Sequence, residues 1–392
     1  MTTKEWSEKI AEGKLDREFS LLYGETERPR RRHEALLAAY EARFGAEEAL
    51  LLSAPGRTEL AGNHTDHQQG MVLCGSVTQD TLAAAAPAEN GEVTILSDGF
   101  GEIRLTLDDL SPQEEEKGTS AALVRGVAAA LRDQGRPIGG FRAAVTSDVP
   151  AGGGLSSSAS VEVLLGAVFT RLYGGRLLRP MALARAGQRA ERKYFGKPSG
   201  LLDQAACAGG GISRIDFEDP AEPRVVPILF DFRQRGYVLC AVDTHTSHAG
   251  LTEDYAAIPR DMFSVAARFG KNALRYVNYQ DFLSRRSRLA AEVSPLALGR
   301  AEHFFDEEIR VQTMADALAA GDMETYRREM LASGDSSRRL LQNIVPPSQT
   351  ERTEMALALD RAESLLRGRG SLRIHGGRVS WMRAVTCCGG RL

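Results

Sequence analysis

The stretch Pro150-Ala151-Gly152-Gly153-Gly154-Leu155-Ser156-Ser157-Ser158-Ala159-Ser160-Val161-Glu162 decides how this chain is read. Three glycines run straight into three serines, and an apolar run (Val161, Val163, Leu164, Leu165, Val168, Phe169) follows at helical spacing. Just upstream, Phe141 to Thr146 alternates and predicts a strand. Strand, glycine turn, hydroxyl cluster and helix start together form a seat for an anion. Glycine lets the backbone approach closely and adopt positive φ. Free N–H groups and the positive end of a helix dipole then favour phosphate. The hydroxyls of Ser156, Ser157 and Ser158 add donors for phosphate oxygens or ligands for a metal. A plain helix N-cap would need only one of these serines. The loop is not a Walker A motif, because Gly196-Lys197 and Gly270-Lys271 are followed by Pro198 and Asn272. Nor is it a Gly-x-Gly-x-x-Gly fingerprint, because serines fill the later positions.

At 392 residues the chain exceeds one comfortable core, and two domains are expected, 1–210 and 211–392, divided near Gly209-Gly210-Gly211. Hydrophobic content of 43% and charged content of 26% are those of an ordinary globule. A formal net charge of -3 gives no case for nucleic acid or an anionic membrane. Arginines are spread among acids, as in Arg189-Ala190-Glu191-Arg192-Lys193, the texture of a solvated helix face. Five cysteines without regular spacing predict reduced thiols. The charged first residues and the lack of a long apolar run predict a cytoplasmic protein with no membrane partner.

Periodicity predicts helices over Glu34–Phe44, Ala121–Leu131, Ser158–Leu172 and Met181–Phe195, and another after Leu202. Strands are predicted over Leu50–Ser53, Met71–Val77, Thr81–Ala86, Glu92–Leu96 and Glu102–Thr106. Beyond Gly211, strands over Ile212–Phe217, Val225–Leu229 and Tyr237–Val242 precede helices over Arg260–Tyr276, Ala297–Ala320, Met323–Ala332 and Thr350–Arg367. Strands followed by helices imply an α+β second domain.

A second constellation, Gly56-Arg57-Thr58-Glu59-Leu60-Ala61-Gly62-Asn63-His64-Thr65-Asp66-His67-Gln68-Gln69-Gly70, is unusually polar between apolar strands. That density of donors and acceptors suits a hydroxyl-rich ligand, since burying unpaired polar groups is costly. A third element, Gly200-Leu201-Leu202-Asp203-Gln204, sets one carboxylate among small and apolar residues. At these three places the chain resembles galactokinases of the GHMP kinase family, whose first motif usually reads Gly-Arg-x-Asn-Leu-Ile-Gly-Glu-His-Thr-Asp-Tyr-Asn-x-Gly. The serine loop resembles the family's phosphate loop almost residue for residue. A further family-like segment runs from Arg300 to Val311, so the resemblance extends from about Leu51 to His375.

The resemblance implies a two-domain α+β GHMP kinase fold, with an N-terminal domain like ribosomal S5 domain 2 and a ferredoxin-like C-terminal domain. It implies ATP-dependent phosphorylation of the C1 hydroxyl of galactose, with Mg²⁺ as cofactor, in a monomer or weak homodimer. Gly152, Gly153, Gly154, Leu155, Ser156, Ser157, Ser158, Ala159 and Ser160 would cradle the ATP phosphates, and Ser158 and Glu191 would hold Mg²⁺. Asp203 matches the base for the sugar hydroxyl, with Arg57 beside it. Asn63, His64, Asp66 and Tyr255 would complete the sugar site. Read without the resemblance, Glu191 is a surface charge, Tyr255 a packing residue and Asp203 a helix N-cap.

Two departures stand out. The family's Glu before His-Thr-Asp is Asn63 here, and its Asn four residues earlier is Glu59, an exchange that either keeps the hydrogen bonding or shifts preference to a sugar altered at C4 or C6, with N-acetylgalactosamine, arabinose and galacturonate as the related sugars considered. The third glycine motif begins as Arg373-Ile374-His375-Gly376-Gly377, but Arg378 replaces the next glycine and the text after it departs from the family, which reads as a truncated or frameshifted end lacking the final strand and helix. Cys387-Cys388 alone is a weak metal signal. A silent sugar sensor and a metal-dependent hydrolase built on His64, His67, His245 and His248 are the alternatives from other classes. The complete serine loop favours the kinase over the first, and the lack of a His-Glu-x-x-His signature weighs against the second.

Overall fold

The computed structural model describes residues 1–151, 154–197, 199–242, 252–345, 347–351, 353–366, 369–375 and 378–384. Gly152, Gly153, His245, His248, Gly376, Gly377 and Cys387-Cys388 lie outside the described residues. The chain divides into two compact units. The first holds Met1–Arg57, Ser76–Ala151 and Leu155–Gly210, and the second holds Thr58–Gly75, the glycine segment up to Gly154 and the chain from Gly211 onward. The polar segment Thr58–Gly75, although within residues 1–210, therefore belongs to the second unit.

In chain order the elements up to Gly209 are α1 (Thr3–Ala11), α2 (Asp16–Tyr23), α3 (Glu27–Phe44), β1 (Leu50–Ala61), β2 (Met71–Pro87), β3 (Glu92–Ser97), β4 (Gly101–Thr106), α4 (Ser120–Asp133), β5 (Phe141–Ser147), α5 (Ser157–Tyr173), α6 (Pro180–Ala190) and α7 (Leu202–Gly209). In the first unit the strand order is β4-β3-β5-β2, with β1 also paired to β2. Strands β2 and β5 are antiparallel, from Thr81 opposite Ser147 to Pro87 opposite Phe141. Strands β3 and β5 run parallel, with Val93 opposite Phe141. A parallel pair needs a crossover, and α4 lies within it.

The run Leu82-Ala83-Ala84-Ala85-Ala86 in β2 is buried on both faces. Alternate side chains point to opposite sides of a strand. Ala83 and Ala85 join a core with Leu123, Val127 and Leu131 of α4 and Val163, Leu164 and Phe169 of α5. Leu82, Ala84 and Ala86 join Ile10, Phe19, Leu36, Leu37 and Tyr40 from α1–α3. Helices α4 and α6 meet at Gly126, where an added Cβ would lie 2.7 Å from both Cα and Cβ of Ala190. That contact fixes the end of α6, where a π-helical turn, Glu191–Phe195, follows at once.

The second unit adds β6 (Ile212–Asp216), β7 (Arg224–Ile228), β8 (Tyr237–Val242), α8 (Thr252–Ala267), α9 (Tyr279–Glu292), α10 (Pro295–Ala320), α11 (Met323–Ser336), α12 (Glu354–Leu366), β9 (Gly370–His375) and β10 (Arg378–Ala384). The start of β2 pairs with β6, Met71 opposite Asp216, and β6 pairs with β7. A three-stranded sheet has the order β8-β10-β9. Helix α10 serves two cores: Phe304 and Phe305 pack with Ile258, Met262 and Phe282, and Val311, Met314 and Leu318 pack with Leu60, Leu73 and Met330.

The structure corrects several expectations. Residues 378–384 do form a strand, antiparallel to both neighbours and central in its sheet; the β-branched and aromatic residues Val379 and Trp381 favour that conformation. The strands predicted over Met71–Val77 and Thr81–Ala86 are one continuous strand. The helix predicted from Arg260 begins at Thr252, because Pro259 sits inside α8 rather than before it.

Gly126→Ala is expected to lower the unfolding free energy by about 1–3 kcal/mol through overpacking against Ala190. Helix propensity alone favours alanine by about 1 kcal/mol. Urea unfolding decides the sign, and a gain in stability would show that α4 and α6 have room to part.

Candidate active site

In the first unit, β1, the serine loop and α7 converge on one carboxylate. Gly56 brings β1 close to the loop: a Cβ there would lie 2.9 Å from the carbonyl of Leu155. The Arg57 N–H donates to that same carbonyl at 3.1 Å. The Arg57 side chain then reaches Asp203, donating from Nε at 3.0 Å and Nη2 at 2.8 Å to Oδ1. Ser156 donates from Oγ to the other oxygen, Oδ2, at 2.6 Å. Ser156 precedes α5 with left-handed backbone (φ 59°, ψ 58°) and makes no capping bond. Its hydroxyl is spent on Asp203, so the N-cap reading fails for it. Asp203 is not a cap either; it lies in the first turn of α7, after the cap position Leu201. Burial pushes the Asp203 pKa up, but the Arg57 charge and the hydrogen bonds from Ser156 and Arg57 outweigh it and hold the pKa below the ordinary carboxylate value.

A second carboxylate stands beside the first. Glu191 is 1% exposed, not a surface charge on the arginine-rich helix. Its Oε1 accepts from Ser158 Oγ at 2.9 Å and from Lys197 Nζ at 2.8 Å. Its Oε2 accepts from Gln204 Nε2 at 2.8 Å, and the same nitrogen donates to Glu162 Oε2 at 2.9 Å. The π-helical turn widens the chain here and closes on Glu191, since the N–H groups of Gly196 and Lys197 both donate to the Glu191 carbonyl at 3.0 Å. Burial, helped by the Glu191 charge, pushes Glu162 up to about 9, so it is a neutral acid at neutral pH. Leu155, Ala159 and Ser160 are buried, and Ser160 Oγ donates to the Ala54 carbonyl at 2.8 Å, away from the hydroxyl cluster. Gly154 has φ of +71°, which glycine adopts without strain.

In the second unit the polar segment is pinned from below. Gly62 has φ of +97°, and a Cβ there would lie 2.7 Å from the Met71 carbonyl oxygen. Thr65 Oγ1 bonds the carbonyls of Gly62 and Met71 at 2.9 and 2.6 Å. The Gly62 N–H donates to Glu307 Oε1 at 3.0 Å, which also accepts from Ser333 Oγ at 2.6 Å. Asn63 donates from Nδ2 to Ser337 Oγ at 3.1 Å, and its carbonyl lies 2.9 Å from His303 Nε2. A carbonyl only accepts, so His303 carries its proton on Nε2, and Nδ1 accepts from Ser336 Oγ at 2.9 Å. Arg373 Nη2 donates to Glu59 Oε1 at 2.7 Å in a buried ion pair. His64 Nδ1 and His67 Nε2 share a 3.2 Å hydrogen bond, and the rings of His64 and Tyr255 are 5.9 Å apart. Burial pushes both imidazoles down, His67 to about 4, so both are neutral at neutral pH. Asp66 opens a short 3₁₀ turn, Asp66–Gln68. Among the described residues no group of three or more His, Cys, Asp or Glu is placed to hold a metal ion, and no helix is long and apolar enough to cross a membrane.

Residues 122–211 match the profile of the GHMP kinases N terminal domain, and residues 38–87 match the galactokinase galactose-binding signature. A galactokinase from Streptomyces coelicolor is 34% identical over 301 residues, covering 76% of each chain. The chain belongs to the galactokinase family of GHMP kinases. A galactokinase from Mycobacterium tuberculosis is 35% identical over 290 residues, 73% of this chain and 77% of the relative. The crystal structure of Lactococcus lactis galactokinase complexed with galactose shares the family fold with a TM-score of 0.74 at 22% identity, over 95% of this chain and 90% of that one. The Methanococcus jannaschii mevalonate kinase shares it more distantly, with a TM-score of 0.56 at 15% identity over 86% of this chain and 91% of that one.

Sequence reasoning missed Glu162, Gln204 and Lys197. A signal existed for the first: Glu162 is the lone acid of α5 and stands in its apolar run between Val161 and Val163, and an acid on a buried helix face requires a partner. Gln204 and Lys197 carry no such mark.

Because Glu162 is protonated in the folded chain up to about pH 9 and ionises near 4.5 when unfolded, its contribution to stability is full below 4.5 and is lost as pH rises. One proton corresponds to a slope of ~1.4 kcal/mol per pH unit. Glu162→Gln should flatten the fall in stability above pH about 7, where the other raised carboxylate, Glu308 at about 7, has largely titrated. Chemical unfolding at a series of pH values checks this, and an unchanged slope would mean that Glu162 is ionised in the fold. Arg373→Met breaks the largely buried ion pair with Glu59 and should cost about 3 kcal/mol, with much of the loss recovered in the Glu59→Gln/Arg373→Met double variant.

Proposed function

We propose that this chain transfers the γ-phosphoryl group of ATP to the C1 hydroxyl of galactose, giving galactose 1-phosphate and ADP. The observation that carries the proposal is the ionised Asp203 held between Arg57 and Ser156 at the start of α5. Curated galactokinases at about a third identity support it. Phosphoryl transfer asks a protein for alignment, charge neutralisation and the handling of one proton. The backbone N–H groups of Gly152–Ser160 at the N-terminus of α5 would seat the ATP phosphates.

Ser158 and Glu191 suit Mg²⁺, which takes oxygen ligands. A hydroxyl and an ammonium on a flexible, half-exposed lysine now occupy Glu191 Oε1, and both can yield to a cation. Bound there, Mg²⁺ would neutralise phosphate charge. Arg57 would stabilise charge on the transferring phosphoryl group. Asn63, His64, Asp66 and Tyr255 would read the sugar hydroxyls; two neutral imidazoles and an amide can each donate and accept, as a sugar requires. The carboxylate at Glu59 is committed to Arg373, and Asn63 offers an amide where the family carries an acid. That arrangement favours including sugars altered at C4 or C6 in any substrate panel.

The depressed pKa of Asp203 defines its part in the chemistry. A carboxylate this acidic is a weak base, so it orients the sugar hydroxyl by accepting its hydrogen bond and takes the proton as the new P–O bond forms. Arg57 and Ser156 together fill three of its roughly four lone-pair sites, leaving one, on Oδ2, for the sugar hydroxyl.

Sugar-dependent ADP release with Mg-ATP tests the proposal directly; no release with galactose or any related sugar would leave a binding protein. Asp203→Asn should lower kcat by about 10²–10⁴-fold with nucleotide binding kept, and a loss under tenfold would remove Asp203 from the chemistry. Activity should fall on the acid side only below the ordinary carboxylate range, because the group must be ionised and its pKa is lowered. An acid limb centred near pH 6–7 would contradict this role.

A further inference from the structure

We infer that Glu162 and Gln204 are positioning residues for Glu191: Glu162 anchors the Gln204 amide, and that amide holds one oxygen of Glu191 so that the other faces Ser158. The inference rests on the reading of Ser158 and Glu191 as magnesium ligands. Glu162 and Gln204 are fully buried and Glu191 nearly so. The single Gln204 nitrogen carries two hydrogens, and each carboxylate takes one, at 2.9 Å from Glu162 and 2.8 Å from Glu191. The amide is therefore fixed at two points, and Glu191 Oε2 is held from behind. Glu191 Oε1 is left with the Ser158 hydroxyl and Lys197, the two groups a cation would meet first.

Two features show that this is a built arrangement. The fold leaves room for it on α6, where a Cβ at Gly187 would lie 3.0 Å from both Cβ and Oε2 of Glu162 and 3.1 Å from Cγ of Gln204. The cluster also tolerates a cost, since Glu162 Oε1 and Gln204 Oε1 are buried without a hydrogen-bond partner among the described residues. A cluster that only filled volume would be more stable with apolar side chains. The geometry gains a reason if it fixes the one oxygen that meets the metal, since partners behind a ligand orient it and tune affinity.

The test measures the Mg²⁺ concentration that half-saturates stabilisation of the full chain by ADP in a thermal shift titration, with Mn²⁺ binding followed by electron paramagnetic resonance as a second readout. Glu191→Gln is measured first; an unchanged midpoint there would overturn the ligand reading itself. Given a shift in Glu191→Gln, Glu162→Ala and Gln204→Met should each raise the metal midpoint by about tenfold, with metal-free ADP affinity unchanged. Glu162→Gln keeps an acceptor oxygen for the Gln204 amide and should stay within about twofold of the unsubstituted chain on that scale. Where Glu162→Ala or Gln204→Met does not fold, Glu162→Asp, one methylene shorter, carries the same expected rise. Midpoints unmoved in the shortened or truncated variants, or moved as far by Glu162→Gln as by Glu162→Ala, would overturn the inference while leaving Glu191 as a ligand.

Discussion

A single carboxylate divides its two oxygens between an arginine and a serine, and the first unit is arranged to make that possible. Asp203 cannot sit ionised in a partly buried place without compensation. Arg57 reaches it because Gly56 lets β1 run against the loop carbonyl of Leu155. Ser156 reaches it because its backbone turns left-handed just before α5. Strand, loop and helix are thus tied by charge-assisted hydrogen bonds, which are stronger than neutral ones. The same bonds keep Asp203 ionised and fix its orientation.

Glu191 shows the complementary solution. It is more deeply buried than Asp203, and its partners are a hydroxyl, an amide and one flexible ammonium. The neighbouring acid, Glu162, is held protonated at neutral pH by burial and by the Glu191 charge. Two acids a few side chains apart are therefore driven to opposite charge states, Asp203 by a guanidinium and Glu162 by burial beside the Glu191 charge. Such divergence is common where chemistry is done. In the second unit, the buried network of Glu307, Ser333, His303 and Asn63 does a different job: it sets the backbone of the polar segment.

Much of this was legible in the sequence because it rests on local rules. The glycine–serine loop and the strand before it were visible as a pattern, and so were Asp203 and the polar segment after Gly56. What was not legible depends on tertiary context. Strand β2 looked like two strands because Ser76 to Asp80 break its apolar run, yet pairing carries it through. Helix α8 was cut short at Pro259, whose local preference the packing overrides. Strand β10 follows the point where the sequence departs from the family pattern, and only the strand propensity of residues such as Val379 and Trp381 marks it. Helix α9 carries mostly polar and charged residues, and only Phe282 and Leu289 are buried on it, so its apolar stripe is too thin to read.

Ser156 combines a positive φ with a hydroxyl that must reach Asp203, and few residues meet both demands. Glycine accepts the backbone but brings no donor. Threonine brings the donor, but its branched Cβ resists this region of φ and ψ. Asparagine tolerates the turn, yet it sets an amide one atom further out. The codon for residue 156 therefore has little neutral room in which to drift while Asp203 keeps its second hydrogen bond.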